Sequence, residues 1–139
     1  MSMARVRYER APDICRAVRA ILASGLFPHV PLDMVRCVRS WGSRSLAIAR
    51  IYGLPRAWIT ALGYNPGYVI EVIHERFDSL PPDEKVKVLI HELLHIPSTL
   101  SGGLRAHGRL VNNRRVNALY RRLRKTEFYQ EALAALDRQ

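Results

Sequence analysis

The clearest periodicity in the chain lies in residues 82–96. Val86, Leu89, Ile90, Leu93 and Leu94 recur at helical spacing and predict an amphipathic helix. Asp83 and Glu84 in its first turn suit the helix dipole, and Pro97 stops it, because proline cannot continue a helix and restricts the residue before it. Upstream, Ile14, Ala17, Val18, Ile21 and Leu22 form a second helical stripe, with Arg16 and Arg19 pointing away. Asp13 is its expected cap, and Gly25 its stop. Downstream, Val116, Leu119, Tyr120 and Leu123 predict a helix over 108–125, in which Asn112, Asn113 and Asn117 are suited to bonding nearby backbone. Thr126 is the expected cap of a last helix reaching Asp137, packed through Phe128, Leu133 and Leu136.

Between the first helix and residue 82 the pattern shortens. Residues 32–40 alternate, Met34, Arg36 and Val38 against Val35, Cys37 and Arg39, and predict a strand. Residues 46–52 predict a second. Residues 56–62 are a third candidate strand, although Ala57-Trp58-Ile59 also fits a short helical turn. After the turn signal of Gly63-Tyr64-Asn65-Pro66-Gly67, residues 68–77 form the strongest strand candidate, rich in β-branched and aromatic residues. The resulting expectation is a single α+β domain over 1–139. A sheet of three to four strands packs against the 82–96 helix, with helices flanking it at both ends. The charged residues 1–10 are expected to form an irregular arm. Either residues 68–75 or residues 48–52 would form the sheet's edge.

Composition changes this picture little. With 48% hydrophobic and 24% charged residues, the chain has an ordinary globular balance. No apolar run approaches a membrane span, and the start does not resemble a signal peptide, so a cytoplasmic protein without a membrane partner is expected. Cys15 and Cys37 form no disulfide framework and read as buried thiols rather than as ligands or a bridge. The formal charge of +10 is carried mostly by arginine, since Lys85, Lys87 and Lys125 are the only lysines. Arg105, Arg109, Arg114, Arg115, Arg121, Arg122, Arg124 and Lys125 make residues 105–125 the most basic stretch. It reads either as a solvated helix face or as a surface for nucleic acid or acidic protein.

The chemistry concentrates in His91-Glu92-Leu93-Leu94-His95. Two histidines four residues apart share one face of a helix, where one tetrahedral zinc ion can accept both imidazoles. Glu92, beside the first, can act as a base without being a ligand. Chance would produce this pattern in about one such chain in a hundred. A hydrolytic site needs a third protein ligand and an open position. His107 is the best candidate, because the loop around Gly102-Gly103 lets the chain swing back; Glu127 and Glu131 are the alternatives. No histidine stands near residues 99–101, which excludes the pattern with a third histidine six residues after the second.

The run His91-Glu92-Leu93-Leu94-His95-Ile96-Pro97, the glycine-containing loop, and then His107-Gly108-Arg109-Leu110-Val111 resemble the metallopeptidase family found in phages and archaea. The resemblance extends upstream through residues 68–73 and Phe77-Asp78, over about residues 34–124. More distantly, the motif and the later His-Gly are similar to the SprT/Spartan-like zincins. The resemblance implies a zincin-like fold, a zinc ion on His91, His95 and His107, and Glu92 as general base, in agreement with the residue-level reading.

The expected activity is hydrolysis of peptide bonds in a protein or peptide substrate. The second donor for the scissile carbonyl would come from Tyr68, Tyr120 or Arg105. Glu71 could orient a ligand's free imidazole nitrogen, while His74 is a minor ligand candidate. The rivals are a protease that works on nucleic-acid-bound proteins and a non-catalytic protein that keeps zinc for stability. Glu92 argues against the last, since a structural zinc has no use for a base.

Overall fold

The computed structural model describes residues 5–137. It is an α+β fold with a four-stranded mixed sheet and six helices among the described residues. In chain order the elements are β1 (Arg7–Arg10), α1 (Pro12–Ala23), β2 (Val35–Trp41), β3 (Ala49–Gly53), α2 (Arg56–Leu62), β4 (Tyr68–Ile73), α3 (His74–Phe77), α4 (Pro82–Leu94), α5 (Asn113–Arg124) and α6 (Phe128–Leu136). The spatial order is β1-β2-β4-β3; β2 and β4 run parallel and the other pairs antiparallel. No helix is long and apolar enough to cross a membrane.

Several expectations need correction. Residues 7–10 are not an irregular arm: they pair with β2 from Arg7↔Trp41 to Arg10↔Val38, which satisfies backbone groups that a loose arm would leave to water; residues 1–4 lie outside the described residues. Residues 56–62 form a helix. Pro55, extended at φ −61° and ψ 143°, precedes it, and Gly63 closes it in the left-handed region at φ 68°. The strand expected over 68–77 ends at Ile73, and α3 follows. That helical turn lets Phe77 sink fully into the core, a burial that contributes about 1.5–3 kcal/mol. β4 is also not an edge. It is hydrogen-bonded on both sides, as the complete burial of Ile70, Val72 and Ile73 requires, so β3 is the outer strand on that side. β3 itself starts at Ala49 because the chain before it is held in turns by Ser43 and Ser45 hydroxyls. α5 begins at Asn113 instead of 108, and α6 at Phe128, where Thr126 caps nothing but donates to the Leu123 carbonyl at 2.8 Å.

The helices α1, α4, α5 and α6 gather on one sheet face. Val35, Cys37, Ile70 and Val72 meet Ile14, Val18, Ile21, Leu89, Ile90 and Leu93 in one core. Asp13 does not cap α1. Instead it reaches Arg39 of β2 at 2.8 and 3.2 Å, and Asp78 binds the same buried guanidinium at 2.8 and 3.1 Å. One arginine thus ties α1, the sheet and the start of the α3–α4 turn together. Its removal would take from two carboxylates the buried cation that they share.

The loop after α4 rests against the end of β3 with no room for side chains. A Cβ on Gly53 would lie 1.9 Å from the Gly102 carbonyl oxygen, and one on Gly102 would lie 2.2 Å from that of Leu54. Gly102 also holds a positive φ of 90°. Gly102→Ala therefore meets both strain and overpacking and should cost about 1–3 kcal/mol, read as a lowered midpoint in thermal denaturation. An unchanged midpoint would show that loop and strand do not pack this way.

Candidate metal centre

α4 supplies the first two histidines because its apolar stripe fixes its rotation. With Val86, Leu89, Ile90, Leu93 and Leu94 facing the core, His91 and His95 are left half-buried at its rim, while Glu92 is 7% exposed. His95 is the last residue of the helix turn, and its amide bonds back to the Glu92 carbonyl. His29 donates Nε2–H to the Ile96 carbonyl at 3.0 Å, fixing the point where the helix ends.

The chain returns through a clasp between His95 and Arg105. The Arg105 amide donates to the His95 carbonyl at 2.7 Å, and His95 Nδ1–H donates to the Arg105 carbonyl at 2.5 Å. The second bond fixes the ring's tautomer and leaves Nε2 free for a ligand. Two residues on, His107 places its Nε2 3.0 Å from that of His91. The ligand atoms of His91, His95 and His107 all lie within 4.8 Å of one another. A tetrahedral ion with bonds of about 2.0–2.1 Å holds its ligand nitrogens about 3.3 Å apart, near the 3.0 Å that separates His91 from His107. Beyond His107, Gly108 takes φ 151° and its amide donates to the Val111 carbonyl. Asn112 clamps this turn with Nδ2 donating to the carbonyls of Gly108 (2.7 Å) and Arg109 (3.2 Å), while its Oδ1 accepts from the Arg115 amide and caps α5.

Burial, with the neighbouring charges of His95 and His107, lowers the His91 pKa, which favours the neutral imidazole that ligates metals. Burial alone raises Glu92 to about 7. Glu92 and His91 stand where two cavities meet. One, of about 460 Å³, holds the three histidines with Ala49, Ile51 and Arg105; the other, of about 550 Å³, runs between Leu46, Ile48, Val88 and Val116.

The other sequence candidates go elsewhere. Tyr68 is buried, and its hydroxyl accepts from the Gly102 amide (3.1 Å) and donates to the Gly103 carbonyl (3.2 Å). It holds the loop that carries the third histidine. Glu71 is fully buried and accepts from Ser40 and Tyr52, each at 2.5 Å, on the sheet face opposite the histidines. Tyr120 is buried against Tyr129, hydroxyl to hydroxyl at 2.6 Å. His74 Nδ1 pairs with Asp78 at 2.7 Å. Of the tentative substrate contacts, only Arg105 lines the histidine cavity. Sequence reasoning missed the Arg105 backbone, His29 and the Tyr68 hydroxyl as organisers of the site. The first leaves no mark in residue identity at all.

Glu92 makes stability depend on pH with a definite sign. A carboxyl raised from its ordinary 4.5 to about 7 binds its proton more tightly in the folded state. The penalty is absent below pH 4.5, grows as pH rises and is complete above about 7. Glu92→Gln removes it. In metal-free protein the variant should gain on the parent by up to about 3 kcal/mol across that window, followed by denaturant unfolding at several pH values. A pH-independent difference would mean that the carboxyl is well hydrated.

Comparison with family models gives one match, described as "Putative phage metallopeptidase", over residues 6–132. No curated protein and no solved structure matches the chain. The family match spans nearly every described element, from β1 through most of α6, and its name agrees with three histidines able to hold a metal ion. The chain belongs to the phage metallopeptidase family.

Proposed function

We propose that the protein is a zinc-dependent, zincin-like peptidase, with His91, His95 and His107 as the metal ligands and Glu92 as the general base. The observation that carries this reading is the convergence of three imidazoles beside one buried carboxyl that is not among them. An all-imidazole set suits zinc better than magnesium or calcium, which prefer oxygen. When bound, such an ion supplies Lewis acidity, polarising a carbonyl oxygen and making water more acidic near neutral pH.

The chain's own residues do the rest. Glu92 accepts the proton of the attacking water as its oxygen bonds to the scissile carbonyl carbon, then delivers that proton to the leaving nitrogen as the C–N bond breaks. The outer strand β3 borders the cleft through Ala49, Arg50 and Ile51, where an extended peptide can add alongside it by backbone hydrogen bonds. The cavity between Leu46, Ile48, Val88 and Val116 then receives a side chain next to the cleaved bond. A metal kept only for stability is disfavoured, because the histidines stand at the rim of a core that closes without them.

Two substitutions separate base from ligand. Glu92→Gln should keep one equivalent of zinc by elemental analysis while peptide hydrolysis falls by about 10²–10⁴-fold; cleavage at the parental rate would remove Glu92 from its role. His107→Ala should drop bound zinc well below one equivalent, and retained stoichiometry would point to another third ligand.

A further inference from the structure

The side of the sheet turned away from the histidines carries a cavity of its own. Side chains alternate along β3, so Ala49 and Ile51 face the metal centre while Tyr52 faces the other way. Tyr52 pairs with Val69 on β4, and Val69 with Arg36 on β2. This row floors a cavity of about 880 Å³, whose walls are the loops before β2 and on either side of α2, with Leu54 and Tyr64 at its rim. Tyr52 is held in place, because its hydroxyl donates to the buried Glu71 carboxylate.

The rest of this region is aromatic and basic. Tyr8 (55% exposed), Tyr52 (44%), Trp58 (59%) and Tyr64 (56%) are the exposed aromatic side chains among the described residues. Tyr52 lies on β3, and Trp58 and Tyr64 lie between β3 and β4; Tyr52 and Tyr64 line the cavity itself. The helix α2, which carries Trp58, has no buried residue, so this segment offers its apolar groups to solvent. Arg10, Arg36 and Arg56 are exposed nearby and form no ion pair among the described residues. Asp33 is the one acidic residue in the cavity lining.

Exposed rings beside unpaired guanidinium groups fit a ligand made of flat π-faces joined by phosphates. We propose that this cavity and the adjoining sheet face bind single-stranded nucleic acid, with bases stacking on Tyr52 and Tyr64 and phosphates meeting Arg36 and Arg10. A duplex hides its base faces and would gain only from charge. The arginine-rich α5 offers charge without rings, since Tyr120 is buried against Tyr129. This site is independent of the peptidase reading and stands or falls apart from it.

The test is fluorescence anisotropy of the full chain with a labelled oligothymidylate of about 15 nucleotides, at salt between about 50 and 200 mM, with an unlabelled duplex as competitor. Binding should weaken with salt and resist the duplex. Tyr64→Ala should weaken it about 5- to 100-fold, Tyr52→Phe should keep it, and Tyr52→Leu should lose it to a similar degree. Arg36→Ala should lower affinity and reduce the salt slope by about one. Because Tyr64 is exposed, its variant should keep the parental circular dichroism spectrum. Absence of binding at low salt would overturn the proposal. So would binding that an Arg114→Ala/Arg121→Ala double variant abolishes while Tyr64→Ala does not. A dimer dissolved by Trp58→Ala, without oligonucleotide binding, would assign the face to a second copy of the chain and equally overturn it.

Discussion

The three-histidine cluster depends on one reciprocal contact, the pairing of His95 and Arg105 through the backbone of both and one imidazole nitrogen. α4 alone can bring only two of these histidines together. The third must come from a segment with no regular structure of its own, and such segments are held only by specific bonds. The Arg105 amide and carbonyl provide two of these, and one also orients the His95 ring. The approach of the histidines and the chain reversal are therefore set by the same pair of hydrogen bonds. Tyr68, His29 and Asn112 then secure the loop, the helix end and the following turn.

The surroundings of Glu92 follow from the same helix. Its neighbours in sequence, His91 and Leu93, face the cleft and the core respectively, so its carboxyl falls at the boundary between them. Burial there makes the charged form costly, and a cation beside it would favour that form again. The helix therefore sets the surroundings of the Glu92 carboxyl by its rotation.

What could be read from the sequence was whatever local patterning determines. α4 and its bounds were legible because a proline, two acids and five apolar residues agree. The three histidines were legible because spacing and a flexible loop suffice to suggest that they meet. α2 was ambiguous because seven residues with no buried side chain carry no amphipathic signal. The position of β4 between two others was not legible, since a uniformly apolar strand reads the same whether central or outer. Tyr68 stood as one of three candidate donors to the scissile carbonyl because its hydroxyl's partner is 35 residues away and invisible to local patterning. The backbone of Arg105 could not have been found, because every residue but proline offers the same amide and carbonyl.

The strand order carries a consequence for the nascent chain. β2 and β3 precede β4 in synthesis but touch only through it. Until residues 68–73 leave the ribosome, the two earlier strands have no common neighbour, and among the described strands only the antiparallel β1–β2 pair, joined through α1, can form. The insertion that completes the sheet is followed within ten residues by the helix bearing the first two histidines. Sheet closure and the appearance of that helix are thus consecutive events, and an N-terminal fragment ending before β4 has β3 without its partner strand and none of the three clustered histidines.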